Sequence, residues 1–363
     1  MKNIIFKSIA FIIIIIAFLT NYVFIINKVE VEPYKVYVII CNLVICLFIT
    51  ILIHELGHQV MAIILGISSC VFFAYPFLII KRNNRWDINI HMKHLFQYSG
   101  FIIPKVPIIR NFIEYNIVIK KIAISAISGP IVSIIFGMIC FVFPINIDLI
   151  ILIKNICCIT SLVIGMYTLF FGDGQMFLLL LKNEKYAMNI FMSFNHYSNN
   201  YFSNDYLYVI AKERCEKINF QIIDENVLTE IQIQGNIIEN SIIKGNCINN
   251  EVVKKNIETF LDVYHKLDII YEEVICYIHL IIMYLIVIEK DFNSADKLYK
   301  YYFLEYENLD NANYLLERTK YFLGYSIPLE KIIYLLENSI EYYISENYIN
   351  IEKKILNSYY QYK

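Results

Sequence analysis

The sequence predicts a mainly α, polytopic membrane protein. It should have about four transmembrane helices, a small β-hairpin after the second, and a C-terminal, mostly helical soluble domain. Three observations carry that reading. Of 363 residues, 58% are hydrophobic and 18% charged, against about 45–50% and 25% in soluble domains. The excess is uneven: long Ile/Leu/Val/Phe runs dominate up to about residue 182, and beyond Lys182-Asn183-Glu184-Lys185 the residues Asn, Glu, Lys and Tyr take over. Within the first part, apolar runs reach the ~20 residues that a helix needs to cross ~30 Å of hydrocarbon. These features divide the chain into an anchor with an outer loop at 1–35, a membrane core at 36–182 and a water-facing domain at 183–363.

The first span, Ile4 to Ile26, is interrupted only by Lys7, Ser8, Thr20 and Asn21. It is too long for a signal-peptide core and lacks a small-residue cleavage site, so it reads as a retained anchor. The second runs from about Val36 to Ile67, the third from Ile122 to Phe143, and the fourth from Leu149 to Phe171. Positive charge orients them. Lys2 and Lys7 precede the first span; Lys81, Arg82, Arg85, Lys93, Lys105, Arg110, Lys120 and Lys121 follow the second; Lys182 and Lys185 follow the fourth. The connection around Pro144 to Asp148 has neither Lys nor Arg. Both termini and the middle connection are therefore expected in the cytoplasm, although Lys28, Lys35 and Lys154 fall on the outer side.

Between the second and third spans, Val71 to Ile80 is rich in β-formers, Lys81-Arg82-Asn83-Asn84-Arg85 is a polar turn, and Trp86 to His91 alternates. This reads as a hairpin. A net charge of −2 gives no basic bias toward nucleic acid. The nine Cys residues have no metal or disulfide spacing and read as small hydrophobes.

The second span holds Ile53-His54-Glu55-Leu56-Gly57-His58-Gln59. Residues i and i+4 share a helix face, so His54 and His58 can present two imidazoles to one ion, with Glu55 placed to move a proton of a metal-activated water. Ionisable groups within a span are costly and mark function by default; the bland alternative is a polar patch packed between helices. Zinc, one ion per chain, would need a third protein ligand and keep a position open. Asp173, in Phe171-Gly172-Asp173-Gly174, lies at the cytoplasmic end of the fourth span, the same depth as the histidines. Flanking glycines free the backbone to turn there. Glu114 is the competing ligand. His91 and His94 lack zinc spacing, and His196, His265 and His279 read as surface or packing residues.

Beyond residue 186 the signals weaken. The stretch to about 250 reads as irregular with some short strands, and Asp224-Glu225 as a solvated turn. Helical periodicity returns near Val252–Leu267, Tyr271–Glu289, Phe292–Glu307, Asn311–Leu323 and Leu329–Tyr348. Val274 to Ile288 is apolar but short for a span, so it reads as a buried helix. An α-solenoid-like tail that binds a partner or presents substrate fits this pattern.

In order along the chain, His54-Glu55-Leu56-Gly57-His58, Ser128-Gly129-Pro130-Ile131-Val132-Ser133 and Gly172-Asp173-Gly174 resemble the zinc helix, Gly-Pro motif and Asp-Gly motif of the site-2 protease family. The resemblance covers about residues 36 to 182. It implies an intramembrane metalloendopeptidase with zinc on His54, His58 and Asp173, Glu55 as general base and acid, and a membrane-spanning or membrane-associated peptide as substrate. It also implies that the hairpin lies near the membrane surface and pairs with unwound substrate. Two departures concern groups thought to hold the substrate strand: Ser133 stands where Asn is frequent, and Met166-Tyr167-Thr168-Leu169 lacks the Asn-x-x-Pro. Two other readings stand beside this one. The first is a membrane metalloprotease of another H-E-x-x-H class that uses Glu114. The second is a non-catalytic membrane scaffold, or a peptide-export or immunity component.

Overall fold

A computed structural model describes residues 33–75, 77–82, 85–90, 100–144, 148–198, 201–266, 271–303, 313–337 and 346–360. The expected anchor at Ile4–Ile26 and the His91–His94 pair lie outside them. The described chain forms two compact units. One comprises the residues up to Pro104 with Ile117–Lys182; the other comprises Lys105–Asn116 with the residues from Asn183 onward.

Apolar length shapes the first unit. Helix α1 runs Pro33–Ile64, α2 Phe112–Val142, α3 Asp148–Phe171 and α4 Asp173–Lys182. Three stretches are long and apolar enough to cross a membrane: Ile40–Ile64, Phe112–Val142 and Ile153–Lys182. The last passes through α3 and α4, interrupted only at Gly172. Helix α2 starts ten residues before the expected Ile122, because Asn111 accepts a hydrogen bond from the Glu114 N–H and caps its first turn. Ile40, Ile45, Val60, Ile63 and Ile64 on α1 are exposed. Such a continuous apolar surface is stable in lipid and not in water.

Four antiparallel strands follow α1: β1 Ser69–Ala74, β2 Phe77–Arg82, β3 Arg85–Ile90 and β4 Gly100–Pro104, in the order β3-β2-β1-β4. The expected hairpin is the β2–β3 pair, closed at Arg82 and Arg85. The expected single run Val71–Ile80 is instead two strands that turn at Tyr75. The next residue in sequence is Pro76, which has no N–H to extend a ladder. Strand β1, central and buried, packs on α1; β4 takes its other edge.

The second unit is helical where it is described: α5 Glu184–His196, α6 Asp205–Arg214, α7 Glu225–Lys244, α8 Glu251–Val263, α9 Glu272–Tyr284, α10 Phe292–Phe303, α11 Asn313–Phe322, α12 Leu329–Glu337 and α13 Glu346–Tyr360. The stretch expected to carry short strands is therefore helix. Asn183, Asp224 and Asn250 each cap a helix start by accepting a backbone N–H. The Asp224-Glu225 pair is thus a cap and a first turn, not a free turn. Ile231, Ile233, Ile237, Ile238 and Ile242 of α7 are all buried. An Ile loses roughly half a kcal/mol in a helix relative to Ala, while its burial contributes about 1.5–3 kcal/mol, so packing overrides propensity. Val274 to Val287 is buried almost throughout, as expected for a core helix too short to span.

Buried charges knit this core together. His196 Nε2 lies 2.5 Å from Glu239 Oε2, and Arg318 Nη1 contacts both Glu352 oxygens at 2.6 and 2.5 Å. Burial alone would lower the imidazole pKa of His196, and the adjacent Glu239 carboxylate more than offsets this and leaves it raised. Burial pushes His279 down to about 3, with Arg318 adding to the shift. A His group whose pKa is raised on folding contributes stability below its ordinary value, and that contribution is lost as pH rises through the raised value. His196→Ala should therefore destabilise this unit by about 3–5 kcal/mol, because it strands a buried carboxylate. It should also remove the alkaline loss of stability that wild type shows, as read by thermal melts across pH.

Candidate metal centre

The second-span motif folds as the helical spacing requires. His54 and His58, one turn apart on α1, are both buried, with rings 4.9 Å apart and nearly perpendicular. Asp173 opens α4 just past the break at Gly172. A Cβ on Gly174 would overlap the Leu169 carbonyl, so this tight approach requires glycine. The result is a triangle of donor atoms. Asp173 Oδ2 lies 3.0 Å from His54 Nε2 and 3.6 Å from His58 Nε2, and the two Nε2 atoms are 3.2 Å apart.

Does this donor set fit a metal ion? A tetrahedral zinc with bonds of about 2.0–2.1 Å separates its ligand atoms by about 3.3 Å. The three edges scatter closely around that value. Protonation agrees. His58 Nδ1 is 2.8 Å from the Ser125 carbonyl oxygen, which only accepts, so Nδ1 carries a proton and Nε2 is the nitrogen turned inward, able to offer its lone pair when the ring is neutral. His54 Nδ1 meets Ser133 Oγ at 3.0 Å, which allows the same tautomer. Partners of this kind on the outer nitrogen are how proteins orient metal-binding imidazoles. Among the described residues, His54, His58 and Asp173 form the group of His, Cys, Asp or Glu side chains with the spacing to hold an ion.

Small residues of α2 make the room. Ser125, Gly129 and Ser133 recur every fourth residue along one face. A Cβ on Gly129 would fall on the His58 ring, and one on Gly57 would come within 3.1 Å of the Gly129 Cα. Ser125 Oγ donates to the His58 carbonyl and Ser128 Oγ to the Gly57 carbonyl, each at 3.0 Å. Sequence motifs pointed to Gly129 and Ser133, but the part Ser125 and Ser128 play in clamping α1 to α2 was missed. The small-residue spacing was the available signal. A second polar knot, Thr50 Oγ1 at 3.0 Å from both Thr160 and Ser161, ties α1 to α3.

Glu55 is buried, and its Oε2 has no hydrogen-bond partner among the described residues. Its carboxyl lies against the α-carbon of Gly100, the first residue of β4, where any Cβ would overlap it. An unpaired buried carboxylate oxygen costs roughly 1–3 kcal/mol or more, so this position calls for a polar partner. Glu114 is not among the clustered groups; its Oε2 accepts the Arg110 N–H at 2.9 Å.

Compared with known proteins, the chain matches no family model, and no curated protein or solved structure shows significant similarity to it.

If these three side chains hold an ion, Ser133→Ala should keep the fold and weaken its binding roughly 10–100-fold by releasing the His54 ring. Gly129→Ala should weaken it further, because its methyl group displaces the His58 ring. Competition with a fluorescent zinc chelator on detergent-purified protein measures both.

Proposed function

We propose that this chain is an intramembrane zinc metalloprotease, similar to the site-2 protease family, that hydrolyses peptide bonds of membrane-spanning or membrane-associated substrates. The observation that carries this reading is the tetrahedral spacing of two inward-facing Nε2 atoms and the Asp173 carboxylate, beside a buried Glu55, within helices long enough to cross a membrane. His54, His58 and Asp173 would hold the ion. Bound zinc supplies a water activated near neutral pH and polarises a peptide carbonyl. Glu55 takes the proton from the attacking water and passes it to the departing amide nitrogen. Its burial against Gly100 holds the carboxyl in one place for both transfers.

A helix in lipid hides its carbonyls in its own hydrogen bonds, so a substrate must be extended before it is cut. Strand β4 suits that task. It is the last strand of the sheet on the side away from β3, and Gly100 brings its backbone to the Glu55 carboxyl. An extended segment added to β4 would gain backbone hydrogen bonds while its peptide group lies near Glu55. The topology expected from positive charge, with both termini in the cytoplasm, belongs to the same proposal.

Glu55→Gln decides between enzyme and scaffold. The proposal expects the variant to retain metal and lose about 10²–10⁴-fold in cleavage rate, so that membrane proteomics finds a fragment in wild-type cells and not in the variant. An unchanged fragment pattern would favour a non-catalytic role. Glu114→Gln should leave metal content unchanged; its loss would point to the other metalloprotease class.

A further inference from the structure

Helices α5, α7 and α9 of the second unit line an open cavity of about 370 Å³. We infer that this cavity binds a short peptide segment bearing a cationic group. This inference does not depend on the metal centre.

Three primary or carboxyl groups on its wall stand without partners. Among the described residues, the Gln232 amide N–H groups, Asn236 Oδ1 and the Glu273 carboxylate make no hydrogen bond or ion pair. Asn189, 8% exposed, also lines the cavity; it donates to Gln232 Oε1, yet its own Oδ1 is buried and has no partner. Of these, only the Asn189 Oδ1 is fully buried, and a ligand donor would satisfy it, while the half-buried Gln232, Asn236 and Glu273 groups line the cavity within reach of the same ligand. Primary amides offer a donor and an acceptor side by side, the complement of a peptide group. The volume falls in the ~300–1,000 Å³ range of small-ligand sites and holds roughly two or three amino-acid residues.

Charge sets the rest of the ligand. His196 Nδ1 is 3.0 Å from the Met192 carbonyl oxygen and so carries a proton, while its Nε2 meets Glu239 at 2.5 Å. One further proton lies between ring and carboxylate whichever atom holds it, and the pair is neutral as a unit. Glu273 then leaves the wall with one net negative charge. That favours an ammonium or guanidinium and disfavours anions. The floor is apolar: Gly235 sits in mid-helix where a Cβ would come within 3.3 Å of Leu280 Cδ1, so glycine lets α7 and α9 approach closely.

The test uses the full chain in a nonionic detergent and three probes: acetyl-Ala-Lys-Ala-amide, acetyl-Ala-Glu-Ala-amide and 1,4-diaminobutane. Saturation-transfer NMR and titration should show saturable binding of the lysine peptide, with both other probes at least about tenfold weaker. Glu273→Gln should remove most of the preference for lysine over glutamate. Asn236→Leu, which fills the cavity and deletes an acceptor, should abolish binding. Both variants should keep the wild-type melting curve and metal content; if Asn236→Leu melts early, Glu273→Gln alone decides. Absence of saturable binding of the lysine peptide, equal binding of diaminobutane, or a preference unchanged in Glu273→Gln would overturn the inference.

Discussion

The Nε2 atoms of His54 and His58 and the Asp173 carboxylate, within 3.6 Å of one another among apolar helices, are the constraint around which the first unit is built. Without a cation or proton between them, three acceptors converge, which is unfavourable at low dielectric. The surroundings leave little freedom to relieve that convergence. His58 is fixed by the Ser125 carbonyl, His54 meets Ser133, and Asp173 is set by the tight backbone at Gly174. On the proposed reading, a divalent ion would satisfy all three groups at once. The glycines at 57 and 129 follow from the same close packing, since any larger residue would separate α1 from α2 or strike the His58 ring.

Glu55 depends on this arrangement from the other side. Its backbone is placed by the same helical turn as His54, and its carboxyl is pressed toward the start of β4. The sheet thereby meets Glu55 through a single residue without a side chain. Position 100 can hold only glycine while Glu55 keeps its position. The second unit solves a different problem. There, buried ionisable groups stand in pairs, His196 with Glu239 and Arg318 with Glu352.

Much of the first unit was legible in the sequence because its signals are local. Apolar runs gave three of the long helices, and the i, i+4 spacing of His54 and His58 dictated a shared face. Asp173 was reachable because few carboxylates lie in the apolar part and because depth in the span could be matched. What was hidden depends on contacts distant in sequence. The pairing of β4 with β1 and the contact of Gly100 with Glu55 have no local signature. Nor does the Ser125 carbonyl on His58, since a backbone acceptor leaves no trace in residue type. In the second unit, the Ile-rich α7 reads as strand or loop by propensity, and only its burial makes it helix. The caps at Asn183, Asp224 and Asn250 were visible residues whose meaning depended on knowing that helices followed them.

Zinc-edge X-ray absorption on the detergent-purified protein tests the central claim most directly. The account predicts one zinc per chain, coordinated by two imidazole nitrogens and oxygen donors at about 2.0–2.1 Å. A protein that takes up no stoichiometric metal, or one whose metal is bound through sulfur or a single imidazole, would contradict it.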